Sequence, residues 1–541
     1  MATKSNWEST LILFGAFLVT VVILPNWSYD PVSSPKQYLL TLTAGIALAS
    51  YFLRGFTLRD QIKSTFSVAI VIFLLILSIN ILVNNNVITE RLFGIRGRST
   101  GFITFVSLAV IALIVSQRAE IKRFFIALLI TSLFVSGYFI LQINGLDIFT
   151  VEEFYSTPSS TLGNPNFVSG FVGFSLFSSI YLISRNNLKI SIAAISVLGL
   201  NLFVLSRVVS IQGTIALITG FSIFIFLHIF ALKKRSITVA ISTVALASLL
   251  TLLLGLFGRG PLSNFLGSST TFSRLDYWRA AMRMLFDHPI FGVGLDGYRD
   301  NYRIYRDEIA IERFGTGQIA DSAHNIFLDL LAGGGFPLGL TFIFLSFFPA
   351  FLVLCKVVRA SQKDSIGILL LAMWSAYQVQ ALSSVYSLGV GIWGWILLGV
   401  MVSYAQREAE VTTKTIKRTR NFLSTTSASI VMLLGSFVSA PQLLAEVRFL
   451  KLANQGDGQA LTQLVTAWPQ DSSRINLVAQ GWQNSGETAR SKDLILKGLD
   501  INPDYYPHWN LLLNLPNATS SEKRESLSEL KRLDPLVLPK S

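Results

Sequence analysis
The stretch DSAHNIFLDLLAGGG at residues 321–335 sets His324, one of four histidines in the chain, between a polar segment and a strongly apolar one. A neutral imidazole in that position can accept a proton or hold a phosphate oxygen. The plainer alternative is a residue in the cap of a helix that begins near Asn325. Two arginines can supply the matching anion site. Arg207, in LNLFVLSRVVSIQGTIALITG, lies in a very short connection between two apolar stretches, at a membrane boundary. Arg274 precedes an amphipathic stretch that belongs on the same face. A guanidinium's planar fork grips two phosphate oxygens at once, so the pair suits a lipid-linked pyrophosphate entering from the bilayer. Arg299, Arg303 and Arg306, in YRDNYRIYRDE, have a more ordinary reading as interfacial arginines that snorkel or pair with lipid headgroups.

Other patterns carry less. GVGLDG (Gly292, Gly294, Gly297) matches a dinucleotide fingerprint by spacing alone, with no preceding strand and no βαβ frame, and reads as a turn. No His-x-x-x-His or cysteine pair occurs, Glu152/Glu153 and Asp296/Asp300 lack ligand spacing, and the first outside loop holds only Asp30, so neither metal nor cofactor is expected.

The elements that must position these residues lie in lipid. The chain of 541 residues is 51% hydrophobic and 14% charged. Thirteen apolar stretches are long enough to be spans, the first centred on residues 11–23 and the last on 425–443. Nineteen basic residues fall in six alternate loops against five in the short loops opposite (Lys36, Arg91, Arg96, Arg98, Arg207), which predicts a cytoplasmic N-terminus and an outside C-terminus. That asymmetry accounts for much of the +13 net charge, and no nucleic-acid partner is inferred. The lone Cys355 excludes an intrachain disulfide.

The expected fold is all-α: a polytopic membrane bundle over residues 1–446, with a long extracytoplasmic loop at 259–323, and a small extracytoplasmic helical domain over 447–541. Within the loop a serine-capped helix is predicted over residues 273–286, with Leu275, Trp278, Met282 and Leu285 on one side and Pro289 ending it. In the tail, Pro469, Pro503 and Pro535 close helical patterns at a period near that of tetratricopeptide helix pairs.

TLGNPNFVSG at 161–170, LSR at 205–207, SRLDYWRAAMRMLFDHPIFGVGLDGY at 273–298 and DSAHNIFLDLLAGGGFPLGL at 321–340 together resemble the O-antigen ligase and polymerase superfamily of bacterial membrane glycosyltransferases. The resemblance implies a fold like the C-type glycosyltransferases and glycan transfer from an undecaprenyl-pyrophosphate carrier at the outer face of the cytoplasmic membrane. It puts Arg207 and Arg274 on the pyrophosphate, makes Trp278 and Tyr298 further substrate-binding residues, and gives the catalytic roles to Arg274 and to His324 as base or phosphate ligand. The acceptor is left open among glycolipid, glycan and protein. Membrane lipids are implied partners, and the tail is a possible dock for a protein. Rival readings are a polymerase or protein glycosyltransferase of the same superfamily, a bicarbonate-type carrier and a non-enzymatic scaffold. No acidic residue falls within the proposed spans, which counts against ion-coupled transport.

Overall fold
The computed structural model describes residues 7–53, 64–85, 87–117, 119–148, 158–184, 187–232, 269–406 and 422–537. The N-terminal part forms α1 (Trp7–Val21), α2 (Ser33–Leu53), α3 (Thr65–Val83), the short α4 (Ile88–Phe93), α5 (Phe102–Gln117), α6 (Ile121–Ile143), α7 (Pro165–Ile183), α8 (Leu188–Arg207) and α9 (Gln212–Ala231). Three helices of the polar loop follow: α10 (Ser269–Asp287), α11 (Tyr298–Tyr305) and α12 (Glu308–Phe314). The chain then returns to apolar helices, α13 (Ile326–Arg359), α14 (Ser365–Ser383), α15 (Leu388–Gln406) and α16 (Phe422–Phe437). The tail is α17 (Ala440–Gln455), α18 (Gly458–Thr466), α19 (Ser472–Asn484), α20 (Thr488–Ile501), α21 (Tyr506–Leu513) and α22 (Ser520–Leu533).

Nine runs among the described residues are long and apolar enough to cross a membrane: α3, α6 to α9, α13 to α15, and Ser424–Gln455 across α16 and α17. Helices α1 and α5 are apolar but shorter. Twelve of the thirteen expected spans fall on these helices or on α2, and the remaining one, near residues 237–257, lies outside the described residues. With no strand among the described residues, the described spans are helices, which satisfy most of their backbone internally, as hydrocarbon requires. The chain is a polytopic helical membrane protein. Between helices, small residues and polar contacts take over from hydrophobic drive. A Cβ on Gly213 would lie 2.0 Å from the Ser169 carbonyl oxygen, and the Gly213 N–H donates to Ser169 Oγ at 2.8 Å, drawing α7 and α9 together.

Helix α13 is broken at Gly335 (φ 70°, ψ −174°), just before Pro337. The loop that precedes α11 fills the break: Phe336 N–H donates to Pro289 O at 2.8 Å and Val293 N–H to Ala332 O at 2.9 Å. Asn80 of α3 clamps the same place, donating to Phe291 O at 2.6 Å and Gly333 O at 3.2 Å. The AGGGFP segment thus joins the polar loop to the membrane bundle.

Helix α10 departs from expectation. It starts at Ser269, four residues ahead of Ser273, and its buried stripe is Tyr277, Ala280, Ala281, Met284 and Leu285. Leu275, Trp278 and Met282 are only half-buried. Two alanines at the centre of the stripe let the helix sit closely against its neighbours, which a pattern built on the larger apolar side chains does not anticipate. GVGLDG forms consecutive turns, with Gly292, Gly294 and Asp296 at positive φ.

The tail has its own core, including Phe449, Ile475, Leu494, Leu512 and Leu530. Helices α19 and α20 fill the interval from Pro469 to Pro503, and α21 and α22 that from Pro503 to Pro535. The 446/447 boundary falls inside α17, where the buried Glu446 accepts from Arg474 Nη1 at 3.1 Å. The YRDNYRIYRDE arginines are a correction to the interfacial reading. Arg303 and Arg306 both donate to Asp534 Oδ2 of the tail, at 2.9 and 2.6 Å. Arg299 pairs with Glu90 at 3.0 Å and Asp300 at 2.8 Å, while Asn502 donates to Asp300 at 3.0 Å. Arg303 and Arg306 thus hold the tail on the loop through Asp534, which comes within reach only in the fold.

Candidate active site at the start of α13
Asn325, not His324, caps α13: its Oδ1 accepts from Phe327 N–H at 3.0 Å and Leu328 N–H at 3.3 Å. His324 stands just outside the cap at φ 56°. A hydrogen-bond chain holds it there. Asp329, in the first turn of α13, accepts from Ser322 Oγ at 2.9 Å and from Ala323 N–H at 2.6 Å. Ser322 Oγ in turn accepts from the His324 N–H at 2.9 Å. The His324 ring lies 5.2 Å from the Tyr277 ring, and its Nδ1 is 3.2 Å from Ser322 O. A carbonyl only accepts, so Nδ1 carries the proton and Nε2 keeps its lone pair. Burial lowers the His324 pKa below 6.5, Asp321 and the Ser322 carbonyl oppose it, and Arg98 and Arg274 add to it. The ring is therefore a neutral imidazole at pH 7.

Arg274 sits on α10 one turn before Tyr277, where burial pulls its pKa down against the opposing effect of Tyr277. Its neighbours Arg279 and Arg313 pair with Asp276 and Asp307. Arg274 pairs with no carboxylate among the described residues, which leaves a cation within electrostatic reach of His324. Trp278 is half-buried beside the Tyr277 cluster, and its indole N–H is buried with no partner among the described residues. Tyr298 is buried and donates to Tyr277 O at 2.7 Å, so its hydroxyl braces α10 against α11. Arg207 is set apart from this group. It is exposed at the end of α8, its guanidinium 5.4 Å from the Phe203 ring, and no contact among the described residues joins it to His324.

Arg98 was read from sequence only as a topology marker, yet it grips Asp321 with two bonds, at 2.8 and 2.9 Å. Burial works against ionisation of Asp321, but Arg98 holds the carboxyl below its usual range. On one side of this pair lies a chamber of about 450 Å³ lined by Lys36, Arg96, Arg98, Gln142, Asn164, Phe167, Asp321 and Tyr386. On the other side a pocket of about 40 Å³ shares Arg98, Asp321 and Tyr386 and reaches Asp296 and Tyr298. The Gly-Asn-Pro-Asn entry to α7 forms part of the chamber wall, with Gly163 at φ 74° and Asn164 capping the helix. Asp30 is occupied by the start of α2, accepting from Val32 and Ser33 N–H groups at 3.1 and 2.8 Å. A signal for the missed cations did exist: three of the five basic residues on the cation-poor side (Arg91, Arg96, Arg98) fall in one short loop.

Residues 194–343 match the O-antigen ligase family model. The O-antigen ligase segment holds Arg207, Arg274, Trp278, Tyr298 and His324, together with the break in α13. The match supports a function of the ligase and polymerase type of glycosyltransferase, and the nine apolar runs agree with a multi-pass membrane protein. No curated protein matches the chain. Lys36, Arg96, Arg98 and the Gly-Asn-Pro-Asn turn lie upstream of the matched segment. The chamber is therefore built mostly by the first third of the chain, with Asp321 from the matched segment and Tyr386, Ser387 and Leu388 from beyond it.

Proposed function
We propose that this protein transfers a glycan from an undecaprenyl-pyrophosphate carrier to an acceptor hydroxyl at the outer face of the cytoplasmic membrane, as a ligase of cell-surface polysaccharide. His324 Nε2 takes the proton of the acceptor hydroxyl as the new glycosidic C–O bond forms. The bond from the sugar C1 to the pyrophosphate oxygen breaks, and Arg274 neutralises the departing diphosphate. The donor carries its own activated leaving group, so orientation and charge neutralisation suffice, with neither nucleotide nor metal required. The observation that carries this reading is the neutral His324 ring, with Nδ1–H on Ser322 O, beside an Arg274 that has no acid partner among the described residues. Trp278 and Tyr298 enter as supports of the donor side through the packing around Tyr277. Arg207 enters through the family resemblance alone.

The test is glycan transfer by purified protein in lipid, with undecaprenyl-pyrophosphate-linked glycan, EDTA, and glycolipid, glycan and protein acceptors. Loss of a positioned base costs about 10²–10⁴ in rate, so transfer should collapse in His324→Ala. Equal transfer by wild type and variant would return His324 to the role of a cap neighbour. Extension of the donor glycan itself would identify the polymerase variant of the same chemistry.

A further inference from the structure
The 450 Å³ chamber falls in the usual range for a small-molecule site, about 300–1,000 Å³. Its charges are already engaged. Lys36 Nζ donates to Val19 O at 3.1 Å and Thr20 O at 2.6 Å, at the end of α1. Arg96 lies 4.2 Å over the Tyr29 ring. Arg98 is held bidentately by Asp321. A diphosphate entering here would have to displace those partners, whereas Arg274, which has no acid partner among the described residues, does not line the chamber. What the walls do offer is a mixture of N–H donors and carboxylate and amide acceptors beside the rings of Phe167 and Tyr386. That combination matches an uncharged polyhydroxyl ring, whose hydroxyls both donate and accept and whose C–H face packs on aromatic surface.

We propose that the chamber binds the sugar of the acceptor that receives the glycan, and that the Arg98–Asp321 pair is the wall presenting its hydroxyl to His324. The acceptor hydroxyl is the group that needs a base, and Asp321 lies three residues before His324 and acts on its charge. The acceptor sugar then reaches His324 past the Arg98–Asp321 pair, while Arg274, which does not line the chamber, is left to the diphosphate. This assignment rests on the transferase reading above and adds to it a substrate class and a location.

Ser387 lines the chamber, is half-buried and makes no side-chain hydrogen bond among the described residues, so Ser387→Trp fills the space without breaking a contact. With rough lipopolysaccharide as the acceptor probe, Ser387→Trp should raise the acceptor KM by about tenfold or more, a loss of about 1.4 kcal/mol. The Kd for undecaprenyl-pyrophosphate-linked glycan should change less than about twofold in the same variant, which also reports that the protein is folded. Phe167→Ala should raise the acceptor KM in the same sense. A donor Kd that rises with the acceptor KM unchanged would overturn the assignment in favour of the donor glycan, and no change in either would remove the chamber from substrate binding. If the wild type transfers nothing to this probe, the transferase reading with that acceptor fails. Saturation-transfer NMR with the released core oligosaccharide then still decides the chamber: contact in the wild type that is lost in Ser387→Trp supports it, and no contact overturns it.

Discussion
Replacing Asp534 by alanine should loosen the tail from the rest of the protein. Both Asp534 and Arg306 are 1% exposed, and one carboxylate oxygen, Oδ2, receives both Arg306 and Arg303. Removing one partner of a buried ion pair costs roughly 3–5 kcal/mol, because the other charge stays desolvated. Here the lower end applies. Arg306 keeps its donations to Thr316 O and Gln318 O, each at 3.0 Å. Arg303, 12% exposed and 4.2 Å over the Tyr506 ring, can turn toward water. About 3 kcal/mol corresponds to roughly a hundredfold shift of the docked equilibrium. Hydrogen exchange of protein in lipid should show amides in α11 and α22 losing protection by about that factor, with α3 and α15 unchanged. Asp534→Asn, which keeps an acceptor, should lose less. Combining Asp534→Ala with Arg306→Met should cost less than the sum of the two, since no cation is then left stranded. Unaltered protection in Asp534→Ala would refute the claim that this pair holds the tail.

Other expectations concern the site and its supports. Arg274→Ala should weaken donor binding more than it slows turnover at saturation, measured by donor titration against single-turnover transfer; Arg207→Ala in the same assay tests whether that exposed arginine contributes at all. Because the His324 pKa is lowered from 6.5, the base form persists below that pH, and the acid limb of kcat/KM should lie under 6.5. Asp321→Asn removes a charge that raises that pKa and should carry the limb further to the acid side. Gly335→Val should reduce thermal stability by about 1–3 kcal/mol through its positive φ, and its Cβ would also lie 2.5 Å from the Ile290 carbonyl group. In the tail, burial holds His508 down to about 4 against an ordinary 6.5. The folded tail then binds fewer protons than the unfolded one, so acidification from pH 6.5 to 5 should cost it about 2 kcal/mol. Urea midpoints followed by Trp509 fluorescence should fall accordingly in the wild type and much less in His508→Gln.

Much of the frame was legible in one dimension because its physics is local. A span is a run of apolar residues, and the described helices fall where hydropathy puts them. The break in α13 is written in Gly335 and Pro337, and the start of that helix in Asn325, since backbone strain and capping act over a few residues. Helix α10 was legible as a helix but not in its rotation: Ala280 and Ala281 mark its buried face, and small side chains reveal themselves as contacts only against a neighbour.

The partnerships belong to the tertiary structure. Arg98 meets Asp321 across 223 positions and Arg306 meets Asp534 across 228, and no local pattern distinguishes such arginines from interfacial ones. The sequence by itself determined the membrane class, the helices and the His324 segment on which a base can stand. Only the fold decided which cations are spent on acids, that Arg274 has none among the described residues, and that a chamber opens against Arg98 and Asp321, because desolvation and pairing depend on what surrounds a charge in space.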